Sequence, residues 1–184
     1  MPSYPIEADK LLDAADLLAP ASPGRGRPPY TAHRRAVSTA YYAVFHAITG
    51  RVAETVFPSA DALFRQRIRR WIGHSDMRTV ARWVSQLQGT TSGTPPPHIR
   101  ELLEPSGRPT HIDADTGTIA DGFLELNEKR EQADYDHEAV FTRPDTRGSV
   151  ALARQVITVV EQAQGDAPKR FFGLIAMQAK IQAR

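Results

Sequence analysis

The run from Thr31 to Phe57 has one glycine, Gly50, no proline, and stops against Pro58. Nothing else in the sequence constrains the fold as strongly. Proline ends a helix by removing a backbone donor and clashing with the preceding turn, so these boundaries predict one long helix. Its spacing gives two apolar faces, Val37, Tyr41, Val44 and Ile48 on one and Ala36, Ala40, Ala43 and Ala47 on the other. A helix apolar on two sides belongs at the centre of a helical core, where the alanine stripe lets a neighbouring backbone approach closely.

Further helical periodicity surrounds this run. Glu7 to Leu18 places Leu11, Leu12, Ala15 and Leu18 opposite Asp9, Asp13 and Asp16. Ser59 is read as the cap of a helix reaching Ile72, and Ser75 as the cap of one carrying Val80, Trp83, Val84 and Leu87. Thr118 to Tyr135, with Ile119, Phe123, Leu126 and Ala133 inward, Gly148 to Gln164, and Pro168 to Gln182 complete the set. No alternating strand pattern competes with them, so the expected class is all-α within a single domain spanning 1–184. Residues 20–30 read as a basic loop and 88–117 as a Pro/Gly-rich surface insertion with a short helix near Ile99 to Leu103. Residues 168–184 read as a C-terminal amphipathic extension. Trp71 and Trp83 are expected in the core.

The chain has no cysteine, which excludes disulfides and thiolate chemistry. With no signal-like apolar start and no membrane-spanning stretch, a cytoplasmic protein with no membrane partner is expected. The formal charge of +2 conceals an asymmetry. From Arg25 to Arg82 there are eleven arginines, no lysine and three acids, Glu54, Asp61 and Asp76. Guanidinium groups suit phosphate because they donate paired hydrogen bonds. Arg65, Arg67, Arg69 and Arg70, with Arg34 and Arg35, are therefore candidate RNA-binding residues. The plainer alternative is a solvated helix face in an arginine-preferring chain.

The six histidines form no HExxH or other zinc-ligand pattern, so no metal site is expected. No phosphate-binding lysine loop, dinucleotide-binding glycine pattern or nucleophile elbow is present, and no cofactor is expected. What remains is Arg130-Glu-Gln-Ala-Asp134-Tyr135-Asp136-His137. On a continuous helix Arg130 and Asp134 pair at i,i+4, and His137 follows Arg130 by two turns on nearly the same face. An arginine to stabilise charge on a phosphate and a histidine to move protons are the minimal parts of metal-free RNA cleavage. The plainer alternative is a helix-end ion pair followed by a solvent-facing histidine. Tyr42 and His46, four apart on the central helix, can share a groove. His74 after Gly73 stands at a helix start, and Tyr135 can stack on a base or pack its ring.

Three blocks in order, Arg35-Ala-Val-Ser-Thr-Ala-Tyr-Tyr-Ala-Val-Phe-His46, Gly73-His74 and Arg130 through Ala-Asp-Tyr135-Asp136, resemble the HEPN superfamily, in particular its small bacterial branch. The resemblance covers most of the chain between Arg34 and Val160. It implies an up-and-down bundle of four to five core helices with peripheral helices, commonly a homodimer with the arginine-histidine motifs facing one cleft. It also implies a metal-independent endoribonuclease of toxin-antitoxin or phage-defence systems, often partnered by a nucleotidyltransferase antitoxin. The family motif, Arg, four to six residues, then His, maps onto Arg130 and His137, with Asp134, Tyr135, Tyr42, His46 and His74 in support. The alternative within the same resemblance is a non-catalytic helical module that binds a nucleotide or docks a nucleotidyltransferase.

Overall fold

A computed structural model describes residues 7–19, 30–104 and 112–179. Those residues form eight α-helices: α1 (Ala8–Leu18), α2 (Tyr30–Val56), α3 (Ala62–Trp71), α4 (His74–Gln88), α5 (Pro97–Leu103), α6 (Ala114–Tyr135), α7 (Arg143–Gln162) and α8 (Asp166–Gln178). No strand occurs among the described residues, so the class is all-α. None of the helices is long and apolar enough to cross a membrane. The basic 20–30 loop lies almost wholly outside the described residues, as does Ile181 of the C-terminal segment.

Helix α2, about 40 Å long, is the axis of a bundle and touches α1, α3, α6, α7 and α8. Both of its predicted faces are used. Val37, Tyr41, Val44 and Ile48 are wholly buried, and so are Ala36, Ala40 and Ala43. Each large side chain removed from water there contributes about 1.5–3 kcal/mol. Around α2, the main core joins Met77, Val80 and Val84 of α4 to Phe123 and Leu126 of α6. Val156 and Val160 of α7 and Phe171 and Phe172 of α8 close it.

Helices α6 and α7 approach closely because position 122 is glycine: a Cβ there would stand 2.4 Å from Val156 Cγ2. A side chain at 122 would force Val156 or its helix to shift.

Several predicted helix boundaries are displaced, each by capping chemistry. Asp61, not Ser59, caps α3, its carboxylate accepting from the Phe64 N–H at 2.8 Å. Helix α4 starts at His74 with Gly73 as cap, and Ser75 lies inside it; Asp76 Oδ2 accepts from the Gly73 N–H. Asp113 caps α6, which draws Gly117 into the helix and shortens the supposed insertion. Thr142 and Asp145 make reciprocal bonds that start α7 at Arg143, five residues before Gly148. Helix α5 is not a free surface turn, since Ile99 and Leu103 are buried against the core. Trp71 is 43% exposed because α3 turns only Ile68 fully inward; Trp83 is half-buried against the core.

Candidate phosphate-binding site around Arg130

One stripe of α2, at positions 34, 38 and 42, meets the C-terminal half of α6. Residues four apart share a helix face, so these three side chains project toward the same neighbour. At one end, Arg34 bonds the closing carbonyls of α6: Nε donates to Ala133 O at 2.7 Å, and Nη2 to Gln132 O at 3.2 Å and Asp136 O at 2.8 Å. Its Nη1 reaches Tyr30 Oη at 2.8 Å and Ala139 O at 3.3 Å. In the middle, the Ser38 hydroxyl donates to Asp134 Oδ1. Next along α2, Tyr42 Oη accepts from Arg130 Nη2 at 3.1 Å.

Arg130 is therefore held from several sides. Asp134 Oδ2 lies 2.7 Å from Nε, as the i,i+4 spacing predicts. The Nε–H is not aimed at it, so this contact is an ion pair without a directed hydrogen bond. Tyr135 Oη also accepts from Nη2, at 3.3 Å. The guanidinium carbon stands 5.1, 5.7 and 5.9 Å from the ring centres of Tyr135, Tyr42 and Tyr41, within cation–π range. Burial works against the charge, but the Tyr42 bond and the neighbouring tyrosines and Asp134 outweigh it and raise the guanidinium's pKa. The side chain is 18% exposed, and Nη1 makes no hydrogen bond to any described residue.

Against the same two rings, Tyr41 and Tyr42, sits His74, the first residue of α4. Its Nδ1 is 2.6 Å from Tyr41 Oη, and its ring stacks on Phe45 at 3.9 Å between centres. The Tyr42 ring meets it edge-on at 5.8 Å. The residue remains open to solvent. Burial of part of the ring, followed by the nearby charge of Arg130, lowers its pKa. The Tyr41 phenol is pushed well above its usual value, mainly by burial, and stays neutral. On the outer side Arg78 pairs with Glu131 at 2.9 Å, and Asn127 donates to the same carboxylate oxygen.

The structure thus brings together Arg130, Asp134, Tyr135, Tyr42 and, through Tyr41, His74. It does not place His137 as the helical spacing predicts. Helix α6 ends at Tyr135, because Asp136 takes an extended conformation and Arg34 occupies the carbonyls of the last turn. His137 follows in the loop, exposed, and makes no hydrogen bond or ring contact to any described residue. His46 points to another neighbour: its half-buried ring lies edge-on to Phe45, with Arg69 close by. Burial first, then the charge of Arg69 and then His74, lower its pKa to about 4.

The arginines predicted to bind RNA divide into two groups. Arg34 has its donors committed to the α6 terminus and Tyr30 and acts as a structural clasp. Arg65 Nη2 donates to Pro58 O at 2.6 Å and Arg69 Nη2 to His46 O at 3.2 Å, tying α3 to its surroundings. Arg35, Arg67 and Arg70 are exposed.

Sequence reasoning missed Tyr41 and Ser38 as parts of the site. The adjacent pair Tyr41-Tyr42 carried the signal, since consecutive residues on a helix face about 100° apart and can serve two neighbours at once. Among the described residues no three His, Asp or Glu side chains converge as metal ligands would. The groove of about 640 Å³ between α1 and α7, lined by Asp16, Arg147 and Arg154, shares no residue with this cluster. No family model, curated protein or solved structure matches the chain.

Proposed function

We propose that this chain is a HEPN-like RNA-binding protein that cleaves RNA as a metal-independent endoribonuclease, with Arg130 at the centre of its site. One observation carries the reading: the Arg130 guanidinium is fixed against three tyrosine rings, and its Nη1 makes no hydrogen bond to the described residues. A cation fixed in a partly desolvated setting stabilises charge growing on phosphate oxygens without first having to reorganise. The attacking group is the ribose 2′-hydroxyl, and the products are a 2′,3′-cyclic phosphate and a 5′-hydroxyl. Exposed Arg35, Arg67 and Arg70 supply further contacts to the RNA backbone. The same reading includes a homodimer, a nucleotidyltransferase antitoxin as partner, and a setting in toxin-antitoxin or phage-defence systems.

The test is cleavage of single-stranded RNA by the purified protein in EDTA, beside Arg130→Ala and His137→Ala. Loss of one fixed cation at the reacting phosphate lowers the rate by about 100-fold or more. Cleavage undiminished in Arg130→Ala overturns the assignment. A second reading, RNA binding without cleavage, is favoured by the loop position of His137, which leaves the motif histidine off the helix face it was expected to share with Arg130. That reading expects RNA to be retained by the wild type with no product at any pH.

A further inference from the structure

We propose that His74 and Arg130 form a two-armed phosphate clamp, in which the buried Tyr41 hydroxyl orients the imidazole so that an N–H at Nε2 faces the ligand. The ligand is the phosphodiester of an RNA strand, and in that respect the inference rests on the RNA-binding reading above.

The tautomer follows from hydrogen-bond accounting. The Tyr41 side chain is wholly buried, and Nδ1 of His74 is the one described partner of its hydroxyl. A buried hydroxyl that fails to donate costs about 1–3 kcal/mol. The Tyr41 O–H therefore donates to Nδ1. The phenol is neutral and has the proton to give. With its proton affinity lowered by burial and by Arg130, the ring is neutral near pH 7 and carries a single N–H. Since Nδ1 accepts, that hydrogen resides on Nε2. The Nε2 position makes no bond to a described residue, and the residue is solvent-exposed.

The second arm is on the same floor. Arg130 and His74 both pack against Tyr41 and Tyr42: Arg130 stands 5.7 Å from the Tyr42 ring centre, and His74 stands 5.8 Å from it on α4. Arg130 Nη1 and His74 Nε2 are both donors that make no hydrogen bond to a described residue. The carboxylates around the cluster are already engaged, Asp134 by Ser38 and Arg130, Glu131 by Arg78 and Asn127, and Asp76 by the Gly73 N–H. An anion bridging the two donors meets no unpaired acid. A phosphodiester offers two charged oxygens for two donors and fits this arrangement better than a single-point anion.

The test separates binding from cleavage by using a short single-stranded oligoribonucleotide with 2′-O-methyl riboses, which cannot be cut. Nitrogen-15 spectra of the full-length protein are expected to show His74 protonated at Nε2 and to shift at that site when the oligonucleotide is added. His74→Leu is expected to weaken binding about tenfold or more, the size of one hydrogen bond to a charged group. His74→Gln restores an N–H donor and recovers much of the loss, and Tyr41→Phe leaves a mixture of tautomers and intermediate affinity. A free protein with His74 protonated at Nδ1, no binding by the wild type, or a His74→Leu variant that binds like the wild type overturns the clamp. Binding that needs His74, in a protein that never cuts unmodified RNA, sinks the nuclease reading and keeps the clamp. Cleavage through Arg130 with His74→Leu binding and cutting normally does the reverse.

Discussion

Replacing His46 with glutamine should remove most of one component of this protein's acid sensitivity while leaving its stability at neutral pH nearly unchanged. The His46 ring is partly buried beside Phe45, and burial, Arg69 and His74 together lower its pKa to about 4. An unfolded chain returns the ring to about 6.5. Above 6.5 both states carry a neutral ring, so the residue contributes nothing to the pH dependence. As pH falls below 6.5 the unfolded chain takes up the proton first, and folding stability declines until the folded ring also titrates near 4. With these two values the linkage relation gives a loss of about 1.4 kcal/mol at pH 5.5 and about 2.5 kcal/mol at pH 4.5, levelling near 3.4 kcal/mol. Glutamine keeps the backbone carbonyl of residue 46, which accepts from Arg69 Nη2 and Thr49 Oγ1, so those bonds survive the substitution. The assay is urea unfolding of wild type and His46→Gln at pH 7.5, 5.5 and 4.5, comparing extrapolated free energies. Carboxylates affect both proteins alike, so the difference between them isolates the imidazole. Parallel pH profiles would refute the reasoning.

Three further outcomes follow from packing and capping. Gly122→Ala should destabilise by about 1–3 kcal/mol in thermal or urea unfolding, because the added methyl meets Val156 Cγ2, and Gly122→Ala with Val156→Ala should recover part of the loss. Arg34→Ala strands the carbonyls at the end of α6; it should cost about 2 kcal/mol or more and speed amide exchange across residues 132–139, with α4 little affected. Thr142→Ala removes the hydroxyl that starts α7 and should cost about 1 kcal/mol by the same unfolding measurement.

The fold could be read from the chain where local chemistry decides it. Pro58 and the double apolar pattern of α2 need no knowledge of distant residues. The inward sets of α6 and α7 likewise show in their spacing. Helix ends are harder, because an aspartate or a threonine can satisfy freed amides with its side chain while a glycine can hold the same position without doing so, and a sequence offers several such residues at every junction. Asp113 and the Thr142–Asp145 pair stand several residues ahead of the apolar runs of α6 and α7, where periodicity carries no signal. At the site, the Arg130–Asp134 ion pair was legible because both partners lie one turn apart on a single helix. The displacement of His137 was not, since helix α6 is closed by Arg34, roughly a hundred positions away in sequence. His74 came to the site for a related reason: only folding lays the start of α4 over Tyr41 and Phe45.

The stripe of α2 at positions 34, 38 and 42 also acts as a ruler. Apolar faces tolerate one helix sliding along another, since methyl groups exchange partners at small cost. Directed polar contacts at three levels of α2 tolerate no such slide: a shift of one turn, about 5.4 Å, would leave the last carbonyls of α6, Asp134 and Arg130 all facing the wrong neighbours. The depth at which the guanidinium sits in its tyrosine cage is therefore set by the alignment of α2 with α6.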